Sequence, residues 1–277
     1  MTSPRQFVRE TGFRPKRAWG QNFLIHEESA EKIVAWAGVR EGDTVLEIGP
    51  GLGALTNALG RVGCFVVAIE KDPTLAAALR RRFTDAPWLT LIEGDALTLD
   101  ARTVRKPLAR LRVVANLPYS VSTPILESLL ARLDCFEDLV LLFQEEVADR
   151  ICAEPGISDY GRLTIWVQAL CEAERGPKVT KGSFYPEPDV QSRLVRLTPR
   201  CEPLVPRGEI DFFLETVALL FQHRRKTVRN SLRDARRREW NVEGALSRAR
   251  IEPTRRPETL SIPELRALAL HLNVPPD

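Results

Sequence analysis

Asn116, Leu117, Pro118 and Tyr119 follow the apolar run Arg112–Ala115, and their side chains and backbone together could do chemistry. Asn116 offers an amide, Tyr119 an aromatic face, and the turn between them backbone carbonyls. Pro118 has no N–H, fixes its own φ near −65° and holds Leu117 extended, so the turn is stiff and turns acceptors to one side. Such a turn can hold a flat ring by an exocyclic amino group. An amine of the adenine N6 type is a poor nucleophile because its lone pair is delocalised into the ring. Acceptors gripping its hydrogens would draw the nitrogen toward tetrahedral geometry and localise that pair. The same four residues would also serve as a plain strand exit closed by proline, so the rest of the chain has to decide.

A second cluster lies upstream. Glu47-Ile48-Gly49-Pro50-Gly51-Leu52-Gly53 joins an apolar run to an amphipathic one, where glycines permit a tight turn and a close backbone approach to a ligand. With Ala54 as the last small residue the loop loosely fits the dinucleotide pattern, and a nicotinamide cofactor has to be considered. Two details oppose it. Glu47 would repel a pyrophosphate, and Pro50 removes a backbone donor that an anion would want. Glu70 ends the next apolar run, twenty-one positions after Gly49, where an acid accepts ribose hydroxyls in either cofactor class. Asp95 and Ala96 end the run after that, and Asp95 could accept from an adenine amino group. Three acids at successive run ends beside a glycine loop suit a cationic sulfonium or ammonium ligand, so S-adenosylmethionine fits better than NAD.

These residues need a scaffold that brings run ends together. From Asp43 to Gln144, apolar runs (Thr44–Ile48, Cys64–Ile69, Leu89–Ile92, Arg112–Ala115, Leu139–Phe143) alternate with helical patterns (Ala54–Arg61, Thr74–Arg82, Pro124–Leu133). The alternation predicts a doubly wound α/β sheet that binds ligands outside the carboxyl ends of its strands. Leu163–Ala169 and Arg193–Leu197 read as two further strands around a turn-rich loop, Gly176–Asp189, and are expected to form an antiparallel edge. Beyond Pro203 and Pro206 the patterns Ile210–Gln222, Lys226–Arg237, Val242–Arg248 and Pro263–Leu272 predict helices. The expected division is a catalytic domain over 1–202, with a basic N-terminal arm, and a small all-helical domain over 203–277.

Composition narrows the function classes. The 277 residues are 44% hydrophobic and 28% charged, as in an ordinary soluble protein, and no apolar run is long enough to span a membrane. The start, Met1–Arg17, lacks the apolar core of a signal peptide, so the expected location is the cytoplasm. The five cysteines and three histidines are scattered without ligand spacing, so no metal site, disulfide frame or hydrolytic triad is expected. The net charge is only +3, but Arg224, Arg225, Lys226, Arg229, Arg233, Arg236, Arg237 and Arg238 crowd one stretch. Arg5, Arg9, Arg14, Lys16 and Arg17 form a second cluster, and two such clusters point toward nucleic acid.

Taken in order, the motifs resemble one family: Gln21-Asn22-Phe23-Leu24, the Glu-Ile-Gly-Pro-Gly loop, Ile69-Glu70, Asn-Leu-Pro-Tyr, and Tyr160-Gly161-Arg162-Leu163. Phe184-Tyr185-Pro186-Glu187-Pro188-x-Val190 and Arg224-Arg225-Lys226-Thr227-x-Arg229-Asn230-Ser231-Leu232 continue the match. The chain resembles the small-subunit rRNA adenine N6,N6-dimethyltransferases, the kasugamycin-sensitivity methyltransferases, over essentially its whole length. That resemblance implies a class I methyltransferase sheet, S-adenosylmethionine, and dimethylation of two adjacent adenosines in a hairpin loop near the 3′ end of small-subunit rRNA, by a monomer. It implies that Asn22, Leu24, Glu47, Gly49, Gly51, Glu70, Asp95, Ala96 and Asn116 bind the cofactor. It further implies that Asn116–Tyr119 grip the target, that Phe184 stacks on the target base opposite Tyr119, and that Arg224, Arg225, Lys226, Arg229 and Arg233 dock on RNA. Leu117 and the Arg-Arg-Lys-Thr tail favour this family over the antibiotic-resistance methyltransferases of large-subunit rRNA, which commonly carry Asn-Ile-Pro-Tyr. A non-catalytic assembly factor would have lost a cofactor acid or Asn116, and all are present.

Overall fold

Strands whose two faces are both apolar have to be covered on both sides, which forces a parallel sheet with helical crossovers. The computed structural model describes residues 14–15, 20–104, 110–223, 225–234 and 240–272. Its elements begin β1 (Phe23–Leu24), α1 (Glu27–Ala37), β2 (Thr44–Ile48), α2 (Ala54–Val62), β3 (Phe65–Glu70), α3 (Pro73–Arg82) and β4 (Leu89–Glu93). They continue with α4 (Ala101–Val104), β5 (Leu111–Asn116), α5 (Ser122–Leu130), β6 (Phe136–Gln144), α6 (Glu145–Ile151) and α7 (Arg162–Leu170). Then come β7 (Cys171–Val179), β8 (Phe184–Tyr185), β9 (Ser192–Pro199), α8 (Ile210–Leu220), α9 (Val228–Asp234), α10 (Val242–Arg248) and α11 (Ile262–Leu272).

Seven strands form one sheet in the order β4-β3-β2-β5-β6-β9-β7. The pairs β2–β3, β3–β4, β2–β5 and β5–β6 are parallel, and β6–β9 is antiparallel. The winding reverses between β2 and β5, which makes that gap the switch point where such sheets bind ligands. Local sequence sets the helices between the strands. Asp72 caps α3 by accepting from Thr74 N at 2.9 Å, Pro73 occupies the first turn, and Arg80, Arg81 and Arg82 close the helix at the negative end of its dipole. A separate two-stranded ribbon pairs β1 with β8.

The described residues group into two compact units, within 1–148 plus 174–199 and within 149–173 plus 200–277. In the second unit, α7 occupies the stretch expected as a strand, Leu163–Ala169. A short apolar run has no periodicity to separate the two states, and here Gly161 N–H donates to Thr164 Oγ1 (3.1 Å) at the helix start. Gln168 then ties the helix back to the carbonyls of Ile151 and Ala153, both at 2.9 Å. Backbone bonds from Arg200 N to Leu170 O and Leu204 N to Ala169 O, both 2.9 Å, hold the same helix to the later chain. β7 runs into the stretch expected as loop. Its Gly176-Pro177 pair looks like a turn, but β7 lies at the sheet's edge, where a missing N–H is tolerated. The described part of the basic helix is α9, Val228–Asp234, shorter than the expected Lys226–Arg237; residues 235–239 lie outside the described residues. Among the described residues no helix is long and apolar enough to cross a membrane.

Arg112 braces the sheet at the start of β5. It donates from Nε and Nη2 to the two carboxylate oxygens of Asp138 at 2.8 and 2.7 Å, and to Asp43 at 3.1 Å. It also caps α1 by donating to the carbonyls of Ala37 (2.7 Å) and Gly38 (2.9 Å). Asp138 is 7% exposed, so removing its partner strands a buried carboxylate. Arg112→Ala should therefore cost about 3 kcal/mol of unfolding free energy. An unchanged urea midpoint for that variant would show that the network contributes nothing.

Candidate cofactor and target site

The carboxyl ends of β2, β3, β4 and β5 surround a cavity of about 230 Å³. Its walls come from the segments around Asn22, Gly49, Glu70, Asp95 and Asn116, so the strand-end residues singled out by sequence are brought together. Glu47 is 1% exposed, and its Oε2 has no hydrogen-bond partner among the described residues. Burial, with the Glu70 carboxylate adding to it, pushes Glu47 up to about 8; Thr56 and Arg82 offset this only in part. Glu70 is also raised by burial, though two backbone amides hold it: Gly51 N–H at 3.1 Å and Asp72 N–H at 2.9 Å. Asp95 is held below the usual carboxylate range by Lys71, at 2.7 Å, and by Leu97 N–H at 3.0 Å.

The glycine loop shows which ligand charge this pocket accepts. A dinucleotide site needs loop N–H groups free to meet phosphate oxygens. Here all three glycine amides are committed within the protein: Gly49 to Ile69 O (3.0 Å), Gly51 to Glu70 Oε2 (3.1 Å) and Gly53 to Pro50 O (2.8 Å). Gly51 also lies against Phe23, whose ring would be 2.8 Å from an added Cβ, at a φ of +59°. The pocket presents carboxylates where a phosphate binder presents donors. An unpaired buried carboxylate oxygen, a doubly anchored acid and an ionised aspartate fit a cationic ligand that also carries a ribose and an amino-bearing base.

The turn after β5 is tied into the helix that follows it. Pro118 adopts φ −60° and ψ 122°, as its ring requires, and Leu117 is buried at 1% exposure. The Pro118 carbonyl accepts from Val121 N–H at 3.1 Å and the Tyr119 carbonyl accepts from the Ser122 hydroxyl, also at 3.1 Å. Both carbonyls are engaged by the start of α5. The Asn116 side chain lies at the cavity, and its Nδ2 donates to the Asn22 carbonyl at 3.0 Å. The Tyr119 hydroxyl is hydrogen-bonded to the fully buried Ser192, and burial raises the phenol above its ordinary range.

Asn22, Leu24, Gly49, Gly51, Ala96, Leu117 and Pro118 all line the cavity. Phe184 does not. It is 2% exposed, pairs with Leu24 across the β1–β8 ribbon and belongs to the core cluster, so its ring faces protein rather than an open site. The basic row is also altered. Lys226 is paired with Asp234, and Arg233 with Glu243 at 2.6 Å; Arg225 is exposed. Arg224, Arg236, Arg237 and Arg238 lie outside the described residues, as do Arg5, Arg9, Lys16 and Arg17. Gly20, Lys71 and Ser120 also line the cavity, although the sequence does not single them out. Gly20 adjoins the Gln21–Leu24 motif, which is the one available signal; Ser192 has none.

The family model described as ribosomal RNA adenine dimethylase matches residues 12–267. The chain belongs to that family. The small-subunit rRNA methyltransferase A of Moorella thermoacetica is 41% identical over 270 residues, covering 95% of this chain and 94% of that one. The protein of the same name from Geobacter metallireducens is 39% identical over 269 residues, covering 95% and 97%. Among solved structures, a dimethyladenosine transferase from Plasmodium falciparum has a TM-score of 0.75 at 27% identity, covering 91% of this chain and 97% of that one. The 23S rRNA methyltransferase ErmE has a TM-score of 0.68 at 29% identity, covering 91% and 100%. The fold is that of a class I methyltransferase, and the methyl donor of this family member is S-adenosylmethionine.

The charge state of Glu47 is open to a direct test on the ligand-free protein. Its pKa is raised, from 4.5 to about 8, so its contribution to stability is fully present below about pH 4.5 and is lost as pH rises through about 8. The unfolding free energy should fall by up to about 1.4 kcal/mol per pH unit within that window. Glu70 shifts in the same direction, so Glu47→Gln should flatten the slope without removing it. Urea titrations at several pH values give both slopes; equal slopes would mean Glu47 is ionised in the fold.

Proposed function

We propose that this rRNA adenine dimethylase methylates the N6 amino groups of two adjacent adenosines in the 3′-terminal hairpin loop of small-subunit rRNA. The observation that carries this reading is the Asn116 amide, held with its donor end on Asn22 beside a pocket built for a cation. The relatives near 40% identity are named for the small subunit and support that choice over the large one. Action as a monomer is part of the same proposal, and a ribosomal substrate supports a cytoplasmic location.

S-adenosylmethionine supplies a methyl group activated on a sulfonium. In this reading Glu47 receives the cationic end and Glu70 the ribose, while Asp95 and Ala96 meet the adenine and the segment of Asn22 and Leu24 closes the pocket. Asn116 Oδ1 accepts a hydrogen from the target N6 and localises its lone pair. Because Asn116 offers a single acceptor, its grip survives the first methylation, when only one N–H remains on the amine. Tyr119, steadied through Ser192, gives the extruded base a face to stack on, which recovers part of the unstacking cost. No side-chain base is required, since the nitrogen becomes acidic once alkylated and can lose its proton to solvent. Positioning supplies most of the acceleration.

Incubation with labelled S-adenosylmethionine and unmethylated small subunits should yield dimethyladenosine, with large subunits as the control. Asn116→Ala should lower the rate by about 10²–10³ while remaining folded. Label appearing in large subunits instead would assign the chain the substrate named for ErmE, and wild-type turnover in Asn116→Ala would remove that residue from the mechanism.

The basic stretch is proposed to dock on rRNA phosphates through Arg224, Arg225, Lys226, Arg229 and Arg233. Lys226 and Arg233 would exchange their carboxylate partners for phosphate, so the net gain falls mainly on Arg225 and Arg229. Replacing Arg225, Arg229 and Arg233 together with Gln should weaken subunit binding and lower the salt slope by about 0.7–0.9 for each phosphate no longer neutralised. A wild-type slope in that variant would mean these arginines serve packing.

A further inference from the structure

The segment Gly20–Leu24 forms a strap along the cavity wall, and its backbone is anchored to three separate parts of the site. At its far end, Phe23 and Leu24 pair with Tyr185 and Phe184, and Ile25 N–H donates to Ser183 O at 2.9 Å. In the middle, the Phe23 ring fills the space beside Gly51. At its near end, Gly20 lies on the peptide that joins Tyr119 to Ser120. A Cβ on Gly20 would stand 2.7 Å from Ser120 N and 2.9 Å from Tyr119 N, both backbone atoms that cannot move aside cheaply. Gly20 also has a φ of +63°, which disfavours any side chain. The Asn22 side chain then closes the strap on itself, donating from Nδ2 to the Gly20 carbonyl at 3.2 Å.

This seating determines the chemistry of Asn116. The Asn22 carbonyl receives Asn116 Nδ2 at 3.0 Å. A backbone carbonyl can only accept a hydrogen bond, so the amide must turn its NH₂ end to the strap. Its oxygen is then the end left for the target. Without the strap carbonyl, the amide could rotate by half a turn and offer a donor to an amine that needs an acceptor. We propose that Gly20 is a positioning residue: by letting the strap rest on the Tyr119–Ser120 peptide, it delivers the Asn22 carbonyl to Asn116 and fixes the acceptor end of that amide toward the target amine. The proposal rests on the adenine N6 reading of the site for its catalytic consequence, but the orientation itself is a property of the free protein.

It also gives a reason for asparagine rather than aspartate at position 116. An ionised carboxylate there would set an oxygen against the lone pairs of the Asn22 carbonyl. Only the protonated acid could donate to that carbonyl and present its other oxygen to the amine. Asn116→Asp should therefore be nearly inactive at high pH and gain activity as pH falls, a trend opposite in sign to that of a carboxylate acting as a base.

The first measurement is made on ligand-free protein carrying ¹⁵N-labelled asparagine. The Asn116 amide pair is assigned by its disappearance in Asn116→Asp, and the exchange rate of its bonded hydrogen is followed. Gly20→Ala should raise that rate by about tenfold or more, as loss of one hydrogen bond would. With small subunits as substrate, Gly20→Ala should lower kcat while leaving KM for the subunit near the wild-type value. Undiminished protection in Gly20→Ala, or wild-type kcat, overturns the proposal. Should Gly20→Ala fail to fold, Asn116→Asp decides it: activity rising toward low pH supports the strap's role, and a flat or rising profile toward high pH refutes it. If the wild-type protein methylates no subunit at all, the functional reading fails, while the exchange measurement still reports on the orientation of Asn116.

Discussion

The site depends on where the glycine-loop amides point. Gly51 N–H and Asp72 N–H both turn inward onto the Glu70 carboxylate, and Gly49 and Gly53 spend theirs on neighbouring carbonyls. In the related dinucleotide-binding folds these donors face outward and hold phosphate. Committing them inward has two effects at once. It fixes an acid at the end of β3 in one orientation, and it removes the positive lining that an anion would need. A loop that looks on paper like a phosphate cradle thus becomes one wall of an acidic pocket. Burial raises the pKa of both glutamates, and in the proposed reading a cation beside Glu47 offsets that burial.

The sequence reveals those features that repeat or that use a distinctive letter. β2, Thr44–Ile48, and α10, Val242–Arg248, are legible to the residue because hydrophobic pattern and flanking turn residues agree there. Glu47, Glu70, Asp95 and Asn116 are legible because parallel strands place residues of equal rank at one end of the sheet. Where apolar runs are short, pattern misleads: Leu163–Ala169 forms a helix held by Gly161 and Gln168, through hydrogen bonds that no local pattern announces. Gly176-Pro177 has the look of a turn because its edge position is a property of the whole sheet. Phe184 is assigned to the target by its motif alone, and whether a loop aromatic faces a ligand or the core depends on packing that a motif does not encode. The strap's part in the site is invisible for a simpler reason. It acts through the carbonyl of Asn22 and the missing side chain of Gly20, and neither the carbonyl nor the space is a letter.

The pocket also bears on how specificity can be divided. A site that grips one extruded base meets the same adenine in any RNA, so its chemistry cannot tell one ribosomal subunit from another. Consistent with this, solved structures of a 23S rRNA methyltransferase and of a dimethyladenosine transferase both match about nine-tenths of this chain, at TM-scores of 0.68 and 0.75. Discrimination must then come from surfaces that read the shape and phosphate pattern around the target. The unit carrying α9 is the candidate, and its arginines are not simply vacant. Lys226 and Arg233 already hold carboxylate partners at the surface, so in the proposed docking phosphate would displace Asp234 and Glu243 rather than fill an empty site. Exposed pairs of this kind contribute about 1 kcal/mol or less, so the exchange is cheap where phosphates are correctly spaced. Elsewhere the pairs mask charge that would otherwise bind any RNA. In the proposed docking, a basic stretch with built-in counter-ions would trade affinity for selectivity, which a pocket made for a single base cannot supply.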